Sequence, residues 1–175
     1  REASWPRRGR LGPLDKSSLS FTVLPTDLDV NLHMNNGRFL ALMDLGRLDL
    51  LARSGLVGVA LKKKWRPIAA AITIHYRKPL QPFQRFQLET RILGWDEKWF
   101  YIEQVFLRGS TPLAQAWFKG LLLGPNGRIH SAEVLVFFFK QKTAYEISEE
   151  LQTVLDGLRE SPTISRKVGL LSSSS

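Results

Sequence analysis

Hydrophobic residues alternate with polar ones early in the sequence and then switch to a helical repeat. Leu19, Phe21 and Val23 fall at period two within 17–24, which predicts a short half-buried strand ended by Pro25 and Thr26. After a polar stretch, Phe39, Leu42, Met43, Gly46 and Leu50 recur at i, i+3, i+4, i+7 and i+11, one face of a helix. Asn35 or Asn36 supplies an N-cap, and Ser54-Gly55 a stop signal. A glycine inside a helix costs up to about 1 kcal/mol in propensity, so Gly46 predicts the close approach of another element. The segment is largely apolar, and burial against a sheet is expected.

A basic loop follows, and then the chain reads as strands: Ile68–Tyr76, Phe86–Ile92, Trp99–Leu107 and Leu113–Leu123. Pro79 and Pro82 close the first, and in the second Phe86, Leu88, Thr90 and Ile92 alternate with Gln87, Glu89 and Arg91. Gly94-Trp95-Asp96-Glu97 and Gly124-Pro125-Asn126-Gly127 predict tight turns. One strand, a buried helix and a meander of strands describe an α+β fold whose sheet wraps the helix. Residues 131–160 read as helical at their start and end, with Ser148 capping a C-terminal amphipathic run. Within 137–147 the pattern breaks, and Lys140–Glu146 resembles the in-frame translation of a sequencing-adapter oligonucleotide. An artefactual insert is expected there, and no function is assigned to it. The expected organisation is a flexible basic arm at 1–16, a folded domain at 17–130 and a helical extension at 131–175.

The length of 175 residues suits one domain with a real core. With no cysteine, the chain has no disulfide scaffold, thiolate nucleophile or Cys-ligated zinc. No apolar run reaches the roughly 18 residues of a membrane span, and no secretory signal pattern is present, so a cytoplasmic protein is expected. The net charge of +9 is compatible with nucleic-acid binding, with a merely basic surface, or with holding a polyanion. The bases are scattered, at Arg7, Arg8 and Arg10, at Lys62–Lys64 and at Arg77-Lys78, without the interleaved aromatics of a nucleic-acid groove. Basic residues around a pocket mouth, suited to a cofactor such as coenzyme A, fit better.

The densest chemistry lies at 26–39, where Asp27, Asp29, Asn31, His33, Asn35 and Asn36 crowd against the predicted helix start. Such groups are costly to desolvate unless they pair or react. The helix N-terminus beside them offers unpaired N–H groups and partial positive charge. A carboxylate, an imidazole and these donors together suit attack on a carbonyl and stabilisation of the oxyanion. Taken singly, Asp29 also fits a loop carboxylate accepting backbone N–H bonds, His33 a packed structural imidazole, and Asn35 and Asn36 capping residues. Asp27 is expected to brace the loop. His75 and His130 lie far from His33 in sequence, and no metal is expected. Trp95, Trp99 and Trp117 read as packing residues, and no glycine-rich phosphate loop is present.

The run Leu28-Asp29-Val30-Asn31-Leu32-His33-Met34-Asn35-Asn36 resembles the signature of hot-dog-fold thioesterases. It is similar to the 4-hydroxybenzoyl-CoA thioesterase family and to plant acyl-carrier-protein thioesterases, whose motif runs Asp-x-Asn-x-His-Val-Asn-Asn. Tyr76-Arg77-Lys78-Pro79-Leu80, with Gly94 through Tyr101, resembles the branch called thioesterase superfamily member six-like. The resemblance spans about 19–125 and implies a central helix wrapped by a curved antiparallel sheet, at least a dimer, and acyl pockets at the subunit interface. It implies Asp29 as nucleophile or base, with Asn31 and His33 as its catalytic partners. Leu32 stands where many relatives have glycine. Asn35, Asn36, Arg77 and Lys78 are the expected substrate-binding residues, with Lys62–Lys64 as further candidates for the phosphates. Acyl-CoA or acyl-carrier-protein is the expected substrate, with no cofactor beyond coenzyme A as part of it and no nucleic-acid partner. The competing class is a non-catalytic acyl-CoA or lipid binder on the same fold.

Overall fold

The computed structural model describes residues 9–12 and 14–139; the expected helix after Ser148 and most of the suspected insert lie outside them. The described strands are β1 (Ser17–Thr22), β2 (Arg66–Tyr76), β3 (Arg85–Trp95), β4 (Phe100–Arg108), β5 (Thr111–Gly124) and β6 (Gly127–Arg128). They form one antiparallel sheet in the order β1-β3-β4-β5-β2, with β6 on β5. The helices are α1 (Asn36–Arg53), α2 (Leu56–Lys63) and α3 (Ser131–Phe139).

The expected period-two pattern is realised in β3. Phe86, Leu88, Thr90 and Ile92 are buried, and β1 pairs alongside with Leu19 opposite Leu88 and Phe21 opposite Phe86. The helical face is also as read, with Phe39, Leu42, Met43, Gly46 and Leu50 buried on α1. Gly46 lies where a Cβ would come 2.6 Å from Thr90 Oγ1 and 2.8 Å from Gln104 Nε2, so its missing side chain is what lets the helix settle on the sheet. Asp49, on the same face, accepts from the buried Ser17 hydroxyl and lies 3.7 Å from Arg53 Nη1.

The core falls into two apolar clusters. One holds Met34, Phe39, Met43, Leu80, Leu88 and Phe106; the other holds Leu50, Leu56, Trp65, Ile92, Phe100 and Val134. A polar belt crosses between them. Gln104 Nε2 donates to the Met43 carbonyl (2.9 Å) and to Thr90 Oγ1 (3.0 Å), and Gln104 Oε1 accepts from Arg47 Nη1 (2.6 Å).

Three features depart from the sequence reading. The strands are not a simple meander, because β2 crosses to the far edge beside β5. Both edges of β3 are taken, by β1 and β4, so β2 does not pair with the strand that follows it and lies on the outer edge of β5 instead. The basic loop before β2 is largely helix α2, set off from α1 by Gly55 at φ 77° and ended by Lys64 at φ 56°; Leu56, Val59 and Ala60 pack on the second cluster. Of the arm expected to be flexible, residues 9–12 are held against the end of α1: Leu11 N–H donates to the Arg53 carbonyl (3.1 Å), and Arg53 Nε to the Gly9 carbonyl (3.2 Å).

Candidate active site

The polar segment between β1 and α1 is a closed loop rather than a loose one. A short 3₁₀ turn, Pro25–Asp27, leads into it, and an antiparallel bridge joins Leu28 to Met34. Inside that bridge, Asp29 N–H donates to the His33 carbonyl (2.8 Å) and Leu32 N–H to the Asp29 carbonyl (3.1 Å). The buried Met34 fixes the loop to the β2–β3 crossing through its N–H, which donates to the Leu80 carbonyl (2.9 Å). The turn forces Leu32 to φ 58°, a left-handed conformation that L side chains resist.

The carboxylate of Asp29 is oriented by its own loop. Its Oδ1 accepts from the N–H of Asn31 (2.8 Å) and of His33 (3.3 Å), while Oδ2 has no hydrogen-bond partner among the described residues. Both contacts come from the backbone, at the positions two and four after the aspartate. Asn35 caps α1, with Oδ1 accepting from Gly37 N–H (2.7 Å), and Arg38 N–H donates to the Asn35 carbonyl (2.9 Å). The Asn36 N–H is then the first-turn donor left without a partner among the described residues.

Asp27 is the brace. Buried, it accepts from Leu24 N–H (2.9 Å), pairs with Arg38 Nε (2.7 Å), and its carbonyl takes the Asn35 N–H (2.8 Å). Sequence reading missed its cationic partner Arg38 and also Tyr76, whose hydroxyl donates to the Asn36 carbonyl (3.4 Å) while its ring meets Phe39 edge-on at 5.1 Å. The helical period carries a weak signal for Arg38, which falls three residues past the N-cap; Tyr76 opens the Tyr76–Leu80 run, but nothing local places it against the helix cap.

The fold gathers Asp29, Asn31, His33, Asn35 and Asn36 in one loop and cap. It does not gather Arg77 with them. Arg77 Nη2 donates to Gln115 Oε1 (3.2 Å), Gln115 Nε2 donates to Glu103 Oε1 (2.7 Å), and Glu103 Oε2 pairs with Arg91 Nη2 (2.6 Å); these side chains lie on the face of the sheet opposite the buried row of β3 and α1. Lys78 is exposed beside it, and Lys63 pairs with Glu133 (3.1 Å) at the other end of the molecule. An apolar cavity of about 290 Å³ lies beside the central helix. It sits along the C-terminal half of α1, between Leu48, Leu51, Ile92 and Leu122, and none of the residues 27–36 lines it. Beside Asp29, Val30 is 97% and Leu32 66% exposed, next to the exposed Asn31, Asn35 and Asn36.

A curled antiparallel sheet around one long helix, with a carboxylate loop at that helix's N-terminus, defines a hot-dog protein. Solved structures agree: a probable thioesterase from Escherichia coli superposes with a TM-score of 0.65 at 20% identity over 71% of this chain and 96% of that one. A gentisyl-coenzyme A thioesterase superposes with a TM-score of 0.60 at 20% identity, over 69% and 98%. The chain belongs to the thioesterase-like superfamily, whose family model matches residues 23–155. Among curated relatives, Protein THEM6 of Xenopus laevis is 42% identical over 54% of this chain and 45% of that protein. Protein THEM6 of Danio rerio is 38% identical over 74% and 64%. A probable thioesterase of Saccharomyces cerevisiae is 28% identical over 82% and 64%. The chain thus spans about half to two-thirds of the length of these relatives. No helix among the described residues is long and apolar enough to cross a membrane.

Proposed function

We propose that this protein hydrolyses acyl thioesters of coenzyme A or an acyl-carrier protein to the free acid and thiol. The observation that carries the reading is the Asp29 carboxylate, with one oxygen held by the N–H groups of Asn31 and His33 and the other unpaired. A carboxylate so fixed loses little freedom on meeting its target, which is where positioning lowers a barrier. Asp29 Oδ2 attacks the thioester carbonyl, expelling the thiolate and leaving a mixed anhydride that water then hydrolyses, or it takes a proton from a water that attacks in its place while the thiolate leaves. The Asn36 N–H at the start of α1 polarises the carbonyl, aided by the helix dipole. Asn31 and His33 hold Asp29 through their backbone N–H groups.

The reading includes a homodimer. The outer edge of β2 has no strand beside it among the described residues, and Ile68, Ile72 and Tyr76 on it are exposed, as are Leu40, Leu45 and Leu48 on α1. Long apolar strand edges of this kind invite pairing, and a second copy would cover the apolar collar of Val30 and Leu32 and enclose an acyl group there. A cytoplasmic location and Lys78 as a phosphate contact belong to the same proposal.

The test is thiol release from a panel of acyl-CoAs. Asp29→Asn keeps the N–H contacts to Oδ1 and removes the charge, and turnover is expected to fall by about 10²–10⁴. Unchanged hydrolysis by this variant would refute the assignment.

A further inference from the structure

The apolar cavity beside the second half of α1 is left without a role by the Asp29 chemistry, and its polar wall is unusual. Arg47 reaches into it from α1 with only 12% of its side chain exposed. Its guanidinium is held in place: Nη1 donates to the buried Gln104 (2.6 Å), Nη2 pairs with Asp44, and the Phe118 ring lies 4.4 Å away. Burial lowers its proton affinity against the raising influence of Asp44. A guanidinium carries five N–H donors, and the other three of Arg47 have no partner among the described residues. Asp44 neutralises it from the solvent side, with 69% of its side chain exposed. The Ser54 hydroxyl on the same wall is spent on the Leu51 carbonyl (3.0 Å), and the rest of the lining is almost wholly apolar.

We infer that this cavity is a second ligand site, separate from Asp29, which takes a medium-chain monocarboxylic acid with its carboxylate on Arg47 and its tail among Leu50, Leu51, Leu56, Ile92 and Leu122. The planar fork of an arginine matches a carboxylate bidentately, and such charge-assisted bonds gain strength away from water. The size follows from the cavity: about 150 Å³ of apolar space accommodates benzene, so 290 Å³ accommodates on the order of a dozen carbons. The separation follows from the core. Within one chain, the packed first cluster and the Thr90–Gln104–Arg47 belt stand between the Asp29 loop and the cavity. The inference rests on the thioesterase reading only in that the free acid is the product class of that reaction; the acid would then report on, or restrain, its own release.

Titration calorimetry of the intact chain with decanoate tests it. One saturable site per chain is expected, weakened at least tenfold by Arg47→Gln, tightened by Asp44→Asn, which removes the competing carboxylate, and unchanged in Asp29→Asn. Ala69→Phe, which fills the cavity and leaves Arg47 intact, is expected to abolish binding and covers the case of an Arg47 variant that does not fold. Absence of saturable binding to the wild type, wild-type affinity in Arg47→Gln, or binding that survives Ala69→Phe would overturn the second site. So would displacement of decanoate by decanoyl-CoA from the Asp29→Asn protein, which would make the cavity the tail pocket of the substrate. Thiol release by the wild type stands apart from all of these, so failure of the second site and failure of the hydrolase reading are told apart.

Discussion

At the scale of single residues, the site is a matter of backbone geometry. Asp29 is held because Asn31 and His33 turn their N–H groups onto it, and that turn requires a left-handed residue at position 32. Leucine there costs about 1–2 kcal/mol relative to a relaxed backbone, and the side chain, two-thirds exposed, recovers little by packing. Leu32→Gly removes the strain but gives the unfolded chain more freedom to lose. The net expectation is a gain of up to about 1 kcal/mol, read as a higher urea midpoint at unchanged slope; a lower midpoint would show that the exposed leucine is held by contacts. The aspartate, the asparagine and the histidine were legible in the sequence as a motif. Their mutual geometry was not, because it depends on the Leu28–Met34 bridge and on Leu80 arriving from the β2–β3 crossing to receive the Met34 N–H.

At the scale of elements, the contact between α1 and the sheet is set by a glycine and a glutamine. In Gly46→Ala the new methyl meets Thr90 and Gln104 atoms that hydrogen bonds hold in place, so neither yields cheaply. Overpacking of this kind costs about 1–3 kcal/mol, against at most about 1 kcal/mol returned in helix propensity, and a net loss of stability is expected in denaturant titration. The turn from β3 to β4 is organised by Asp96, whose Oδ1 accepts from the N–H groups of Lys98 (2.8 Å) and Trp99 (2.7 Å) and whose Oδ2 accepts from the Tyr101 hydroxyl (2.8 Å). Burial first, and then the bond to Asp96, push the Tyr101 hydroxyl up to about 12. An unperturbed tyrosine titrates near about 10. The folded state therefore holds this proton more tightly, and the associated stability is complete below pH ~10 and lost as the pH rises toward about 12. Tyr101→Phe is expected to flatten that alkaline decline, measured as denaturation midpoints at pH ~9 and ~11.5; an unaltered decline would remove Tyr101 as its source.

At the scale of the whole molecule, assembly is the open quantity that β2 frames. A strand with no neighbour on its outer edge among the described residues, and with Ile72 exposed on its α1 side, is expected to find a second copy. Ile72→Lys places a charge on that edge without touching the first core cluster, and light scattering is expected to report a shift from dimer to monomer. A monomeric wild type at micromolar concentration would instead leave the acyl pocket to a single chain. The periodicities in the sequence determined which residues are core, because alternation in β3 and the i, i+3, i+4 face of α1 are local properties of how side chains leave a backbone. Residue types at fixed spacing also limited which chemistry the loop can offer. Only the tertiary structure decided that β2 crosses to the edge of β5, that α2 forms where a basic loop was expected, and that Arg77 stands across the sheet from Asp29. Only it decided that the cavity lies beyond a polar belt from the carboxylate. Each of these depends on which strand edge was left free and which apolar surface still needed cover, quantities that exist only once distant parts of the chain have met.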